Sequence, residues 1–366
     1  MKRFSYITLG DIHLGHMRNK TSFIIENLRT ELYTKTLLVN ELDAIFINGD
    51  LFERLLVVNS EDYDLIVEWF NELMAFCLHN KIKLRLLEGT PLHDSKQGKL
   101  FQINTDRLKL DIDFKYITDI HIEHIPDFNL DILYVPDQND KPAIERFKDI
   151  QELMKSKGLT KVDLVMMHGQ FRYQLPILLD SSHNEDDFLN ITRYFIHTNH
   201  IHTPSVFNRI LASGSFDRLK HGEEEDKGFV HATINSKDDF TFKFIKNKNA
   251  RIFKTIFVKD NPTTEDMENL HKELKLYPET AFIWIKCKSD TVSLKDLKEI
   301  YTFAGLKIDI VKEDENKTTD IFNIDVDYEE IHITKSNMLN LLKEEIGDDF
   351  TSEDFLLMEE EINSLK

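Results

Sequence analysis

Aspartate and histidine recur in this chain at the ends of short apolar runs, in a set that could hold divalent cations. In order they are Asp11 and His13 in LGDIH, Asp50 in INGDLF, His93 and Asp94 in EGTPLHD, His168 in VMMHG, and His200 with His202 in TNHIH. Carboxylate oxygens and imidazole nitrogens suit manganese, iron or zinc, and a mixed set can build two adjacent sites. Two cations about 4 Å apart could clamp a phosphate and activate water between them. Asp11 and His13, like His200 and His202, are two residues apart, so each pair would point from one side of an extended segment and converge on one cluster. A lone Asp-Ile-His reads more simply as a strand end satisfied in a turn. The metal reading rests on the recurrence of such clusters, each after an apolar run. Covalent catalysis has little support, because neither Cys77 nor Cys287 lies in a nucleophile motif and the segment Gly214-Ser215-Phe216-Asp217 lacks a G-x-S-x-G elbow.

Something must carry these clusters to one place. Strands are expected at the opening KRFSYITL, at DAIFIN and at KIKLRLL, each ending in a glycine and a polar turn. Phe23, Ile24, Leu28 and Leu32 stand at helical spacing and predict a helix over residues 21–38, and a second helix is expected over 63–78. Residues 114–137 read as a strand-rich hairpin region, 141–157 as a helix, and KVDLVMMHG and YFIHTNHIH repeat the strand-to-polar-loop pattern. RILASGSFDR and KGFVHATI read as strands of a second sheet layer. Strands alternating with helices predict an α/β fold, whose ligands gather beyond the carboxyl ends of the strands.

The same reading divides the chain into a catalytic unit over 1–240, connecting strands over 241–261, and a small α+β module over 262–315. An acidic linker at 316–333 and two short amphipathic helices within 334–366 follow. The 366 residues can bury a large core and carry a formal charge of -19, which argues against a surface that attracts nucleic acid as a whole. A local site is still compatible with that charge, since bound cations invert it and carboxylate ligands count towards it. Two distant cysteines exclude a zinc ribbon or a disulfide framework and are expected to be buried thiols. No apolar run reaches the length of a membrane span and the opening is unlike a signal peptide, so a soluble intracellular protein is expected.

The ordered set resembles the calcineurin-like phosphoesterase superfamily, whose signature runs D-x-H, GD, GNH[DE], H and GH-x-H. This chain has GDIH, NGDLF, EGTPLHD, MHG and NHIH. It is more closely similar to the nuclease subunit of bacterial SbcCD and its archaeal, eukaryotic and bacteriophage relatives. GDIHLGH resembles that group's opening GD-x-H-x-G, and GSFDRLKHGEEEDKGFV its glycine-serine segment followed by Gly-Glu, an acidic run and Lys-Gly-Phe. The resemblance spans about residues 4–240; the module and the final helices match only in position and type.

The resemblance implies a metallophosphoesterase four-layer sandwich, two central mixed sheets flanked by helices, then a capping domain and C-terminal helices. It implies two divalent cations, expected to be manganese. Asp11, His13 and His202 would hold the first, Asp50 would bridge, and His168 and His200 would hold the second. His93 would protonate the leaving oxygen and Asp94 would orient it. EGTPLHD lacks the family's asparagine ligand, and either the Thr90 hydroxyl or His93 itself could take that place. Asn199 stands where the family has glycine.

The implied function is a metal-dependent DNA exonuclease, with endonuclease activity an open possibility, acting in repair or phage DNA processing. Its expected partners are DNA, an SMC-like coiled-coil ATPase and a second copy of the chain, in the cytoplasm of a bacterial or phage-infected cell. Arg18, Lys20, Arg172, Arg218 and Lys220 lie in or near the site segments and could meet phosphates. Met338, Leu339, Leu341, Leu342, Phe355, Leu356, Leu357 and Met358 would face the ATPase. A small-substrate phosphodiesterase and a non-catalytic DNA-end binding subunit are the competing readings.

Overall fold

The computed structural model describes residues 2–33, 41–137, 141–177, 179–259, 262–287, 294–295, 298–299 and 307–312. Numbered along the chain, the first sheet uses β1 (Phe4–Leu9), β2 (Ala44–Asn48), β3 (Lys83–Leu87), β4 (Phe114–Ile117), β11 (Gly228–Ser236) and β12 (Asp239–Lys246). The second uses β5 (His121–Ile125), β6 (Leu130–Val135), β7 (Leu164–His168), β8 (Ile196–Asn199), β9 (Ser205–Phe207) and β10 (Ile210–Ala212). Their orders are β12-β11-β1-β2-β3-β4 and β5-β6-β7-β8-β10-β9. Both are mixed: β1 to β4 run parallel beside an antiparallel β11–β12 pair, and β6, β7, β8 and β10 run parallel between antiparallel edges.

Side chains alternate across each strand, and that alternation builds the layers. Phe4 and Tyr6 of β1, with Phe46, face Leu130, Ile132, Tyr134, Leu164 and Met166 of the other sheet. Ile7, Leu9, Ile45, Ile47, Leu84 and Leu86 point the opposite way, onto helices α1 (Thr21–Leu32) and α2 (Glu61–Asn80). Leu133, Val135, Val165 and Met167 likewise meet Phe147, Ile150 and Met154 of the helix at Ala143–Ser156. The order is therefore helices, sheet, sheet, helices, an α/β sandwich.

Helix α2 shows why the chain folds so locally. It buries Ile66, Trp69, Phe70, Leu73, Met74 and Cys77, a single face at 3.6-residue spacing. Burying each large apolar side chain contributes about 1.5–3 kcal/mol, against about 1 kcal/mol for a cap such as Ser60, which accepts the Tyr63 N–H. Burial sets where the helix lies; the cap sets where it begins. Cys77 and Cys287 are free and buried. No described helix is long and apolar enough to cross a membrane.

Several elements differ from the sequence expectation. Helix α1 ends at Leu32, and residues 34–40 lie outside the described residues. Strands β5 and β6 form the expected hairpin, but β4 pairs with β3 in the first sheet, so residues 118–120 cross between sheets. Strands β10 and β11, expected in one layer, lie in different sheets. Pairing explains the division: β11 lies against β1, and β10 against β8. The limit at residue 240 falls within β12, because that strand returns antiparallel along β11.

A third, parallel sheet joins β13 (Phe253–Phe257), β14 (Phe282–Cys287) and β15 (Lys307–Lys312). Its first strand comes from the segment expected only to connect. Helix Thr264–Leu274 drops Leu270 and Leu274 onto Ile256, Ile283 and Ile285. The stack of His221 on Trp284 (ring centroids 3.9 Å), the Lys254–Glu224 ion pair (2.7 Å) and the Arg251 bond to the Thr280 carbonyl (2.9 Å) join this sheet to the body of the chain. Most of the second expected helix of the module, the acidic linker and the final helices with Met338 to Met358 lie outside the described residues.

Candidate metal centre

Loops from the carboxyl ends of β1, β2, β3, β7 and β8 meet at one place, drawing on both sheets. The first two are zipped together. Asp11 N–H donates to the Gly49 carbonyl (3.1 Å), Ile12 and His13 N–H to that of Asp50 (2.8 and 3.0 Å), and Leu14 N–H to that of Leu51 (2.9 Å). Asp11, His13 and Asp50 adopt φ of 46°, 52° and 48°, and His200 124°, left-handed backbone that costs on the order of 1–2 kcal/mol each. Strand β1 has ended at Leu9, so Asp11 and His13 converge through a turn and not through strand alternation. Gly49 is required here: at φ +82° a Cβ would stand 2.4 Å from His168 Nδ1.

The side chains form three overlapping groups: Asp11, His13 and His202; His13, Asp50 and His93; Asp50, His168 and His200. His200 and His202, although two residues apart, belong to different groups. Asp50 lies at the junction, its Oδ2 3.3 Å from His168 Nε2 and 3.8 Å from His13 Nε2. His13 Nε2 is 3.1 Å from His202 Nε2, and His200 Nδ1 is 3.3 Å from His168 Nε2. Thr90 enters the third group through its hydroxyl, which donates to Asp50 Oδ2 (3.2 Å) and lies 3.4 Å from His168 Nε2.

Outer partners decide which nitrogen of each ring faces inward. His13 Nδ1 is 2.7 Å from Glu53 Oε2, and His202 Nδ1 is 2.9 Å from Glu223 Oε1. His168 Nδ1 donates to the Asn48 carbonyl (2.8 Å), and His93 Nδ1 to the Glu53 carbonyl (2.6 Å). Anions and carbonyls accept protons at Nδ1 and leave Nε2 lone pairs aimed at the common centre, the pattern that orients metal-ligating histidines. Asp11 behaves consistently: Oδ2 accepts from Asn199 Nδ2 (3.1 Å) and His200 N–H (3.0 Å), while buried Oδ1 has no hydrogen-bond partner. Inward lone pairs, an unsatisfied carboxylate oxygen and a shared aspartate fit a divalent metal. These buried His/Asp groups could hold a metal ion.

Charge points the same way. Burial pushes the His13 and His168 imidazoles down, yet Glu53 and Asp50 outweigh it at His13, and Asp50, Asp11 and Asp137 outweigh it at His168; both are raised. Burial pushes Asp50 up, but His168, His13 and His93 hold it well below the usual carboxylate range. The pocket stabilises positive charge on either side of Asp50.

Asp94, expected to orient His93, makes its hydrogen bonds to backbone N–H groups of the neighbouring loops. Its Oδ2 accepts the N–H groups of Asp50 (3.0 Å) and Gly89 (2.7 Å), and Oδ1 that of Phe52 (3.0 Å). Burial, followed by Asp50 and Glu88, pushes it up to about 7. It braces the loops bearing Asp50 and Thr90, and the Glu53 carbonyl takes the place at the His93 ring that the resemblance gives to Asp94. Arg218 is committed to the carbonyls of Ala250, Arg251, Glu224 and Glu225, which removes it from the candidate phosphate contacts. Arg18, Lys20 and Arg172 are exposed.

Sequence reasoning missed Glu53, Glu223, Lys227 and the role of Asn199. Lys227 is fully buried, 3.3 Å from Glu223 and donating to the His202 carbonyl (2.9 Å), so GEEEDKG is the brace of His202. Asn199 packs so tightly on Gly10 that a Cβ there would meet it at 2.6 Å. No protein-family model and no curated protein matches this chain.

Proposed function

We propose that this chain is a calcineurin-like metallophosphoesterase with two divalent cations, of the SbcCD nuclease-subunit type, acting on DNA as an exonuclease. The observation that carries the reading is Asp50 Oδ2 standing between His13 Nε2 and His168 Nε2, with a histidine-carboxylate group on each side. Asp11, His13 and His202 would hold one ion, His168 and His200 the other, and Asp50 both. The Thr90 hydroxyl, 3.2 Å from Asp50 Oδ2 and 3.4 Å from His168 Nε2, or His93 itself would stand in for the family's asparagine. Divalent cations bound there supply Lewis acidity towards a phosphodiester and activate water.

The protein's own groups do the rest. The Glu53 carbonyl holds the Nδ1 proton of His93, so Nε2 is the atom that takes up a second proton from solvent and, from the resulting imidazolium, delivers it to a departing sugar oxygen. Asp94 and Asn199 hold the loops and the Asp11 carboxylate in place, so little reorganisation accompanies substrate binding. The choice of DNA over smaller diesters rests on the resemblance and on the third sheet, which follows the body of the chain in sequence as that group's capping domain does. Association with an SMC-like ATPase and with a second copy belongs to the same proposal.

The test is manganese-dependent digestion of end-labelled single- and double-stranded DNA by wild type, His93→Ala and Asp50→Ala, with a cognate ATPase added. Progressive shortening by wild type alone supports the reading. Turnover of a generic phosphodiester without DNA shortening would move the assignment to small substrates. DNA binding without turnover across several metals would favour an assembly subunit, for which the replaced asparagine is the relevant observation.

A further inference from the structure

The third sheet and the metal centre meet in one short run, His221-Gly222-Glu223-Glu224. His221 lies flat on Trp284 of β14, ring centroids 3.9 Å apart at 11°, and edge-on to Phe253 of β13 (5.3 Å). Its buried Nδ1 has no hydrogen-bond partner among the described residues, so on that side packing alone holds the ring. Glu224 pairs with Lys254 of β13 (2.7 Å). Between these two, Glu223 reaches the body of the chain instead. One oxygen meets His202 Nδ1 (2.9 Å); the other accepts the Leu219 N–H (3.0 Å) and lies 3.3 Å from Lys227.

Gly222 allows this exchange of partners. Its φ is +98° and a Cβ there would meet nothing within 4 Å, so the position needs glycine for its backbone and not for space. Arg218 closes the run, donating to the carbonyl of Glu225 (2.9 Å) and to that of Arg251 (3.2 Å), which leads into β13. A run this short, tied to the third sheet on both sides of Glu223, passes any shift of that sheet to the glutamate that orients His202. The attitude and basicity of a ligating imidazole follow the acceptor at its other nitrogen. We infer that Trp284 is a positioning residue for His202, acting through His221, Gly222 and Glu223, so that seating of the third sheet and cation affinity at Asp11, His13 and His202 strengthen together. Coupling of this kind is reciprocal, so an ion at His202 also tightens the seat of Trp284. The inference rests on the reading of His202 as a metal ligand, and one arm of its test uses no metal.

The test compares full-length wild type with Trp284→Ala, Trp284→Phe and Gly222→Ala, all held well below their unfolding midpoints. In manganese calorimetry Trp284→Ala weakens the first binding event about tenfold, the low end of what an outer partner of a ligating histidine supplies, and leaves the second event as it is. Trp284→Phe keeps a ring under His221 and restores the affinity. Gly222→Ala removes no contact, yet weakens the first event in the same direction. Adding Glu223→Gln to Trp284→Ala costs no further affinity, because both act on one ring. Acrylamide reaches Trp284 but not the fully buried Trp69, and manganese lowers its quenching in wild type and not in Glu223→Gln. Without metal, the imidazole nitrogen chemical shifts of His202 move away from the Nδ1-protonated form in Trp284→Ala. An unchanged first event in both Trp284→Ala and Gly222→Ala, or equal weakening of both events, would overturn the inference and leave the stack as a fastening of the third sheet only. If wild type binds no manganese, the metal reading fails, and the His202 shifts alone decide whether Trp284 positions that ring.

Discussion

His13 and His202 face each other Nε2 to Nε2 at 3.1 Å, each with a glutamate at its Nδ1, Glu53 at 2.7 Å and Glu223 at 2.9 Å. Both carboxylates stand at Nδ1 and turn both Nε2 atoms to one spot, where either a shared proton or a cation relieves the repulsion of the two lone pairs. Glu223→Gln keeps the shape and removes the charge. Outer-shell partners of this kind are worth about 10–100-fold in metal affinity. The variant should bind its first manganese more weakly by that factor in isothermal titration calorimetry, with an unchanged second binding event. Loss of both events together would mean that Glu223 serves the fold through Lys227 and not the ring.

Removing Asp50 tests the bridge. Its carboxylate belongs to two of the three side-chain groups at the centre. Asp50→Asn should therefore lower the manganese bound per chain by more than one weakened site, and should abolish most of the metal-induced rise in melting temperature, since that rise scales with occupancy of the native state. Metal analysis of the gel-filtered protein and a thermal-shift series check this. A variant that still holds a full complement of metal would place the bridging ligand elsewhere.

For His93 the expectation is different, because it is assigned to proton delivery. His93→Ala should keep manganese binding and lose about 10²- to 10⁴-fold in turnover of DNA. The loss should be much smaller for bis(p-nitrophenyl) phosphate, whose nitrophenolate departs without a proton. Equal losses on both substrates would make His93 a ligand, the alternative that EGTPLHD leaves open.

The strands that carry the centre were legible because each ends an apolar run with glycine, aspartate or histidine, and burial enforces that order. Two kinds of feature were not. Glu53 and Glu223 act through rings far away in sequence, and Glu223 sits in an acidic run whose other members, Glu224, Glu225 and Asp226, pair with lysines and read alike as surface charge. Sheet membership was the other. Strands β10 and β11 have similar apolar patterns, and only their neighbours β8 and β1 separate them. The left-handed turns at Asp11 and His13 were hidden too, since neither residue type requires positive φ.

Acid should act on the pair that joins the two sheets. Arg85 meets Glu123 through two bonds (2.9 and 2.8 Å), and Glu123 also accepts from Tyr134 (2.9 Å) and Lys115 (2.6 Å). Burial raises the Glu123 carboxyl, but Arg85 first and then Lys115 and Tyr134 overcome this and bring it down to about 2, from an ordinary 4.5. A depressed carboxylate pKa contributes stability above the unfolded value, and that contribution is lost as pH falls through the folded one. Glu123→Gln should cost about 2–4 kcal/mol near neutral pH, as expected when one partner of a buried pair is removed, reduced towards the lower end by the contact Arg85 keeps with Asp113 (2.7 Å). The gap between wild type and variant in urea unfolding should be constant above about pH 5 and shrink steadily from there towards pH 2. His183 and His197, each pushed down to about 3 by burial, weaken both proteins alike over the range below 6.5 and leave that difference untouched. A gap that stays constant down to acid pH would show that Glu123 contributes through shape and neutral hydrogen bonding, and that charge does not hold the sheets together at this point.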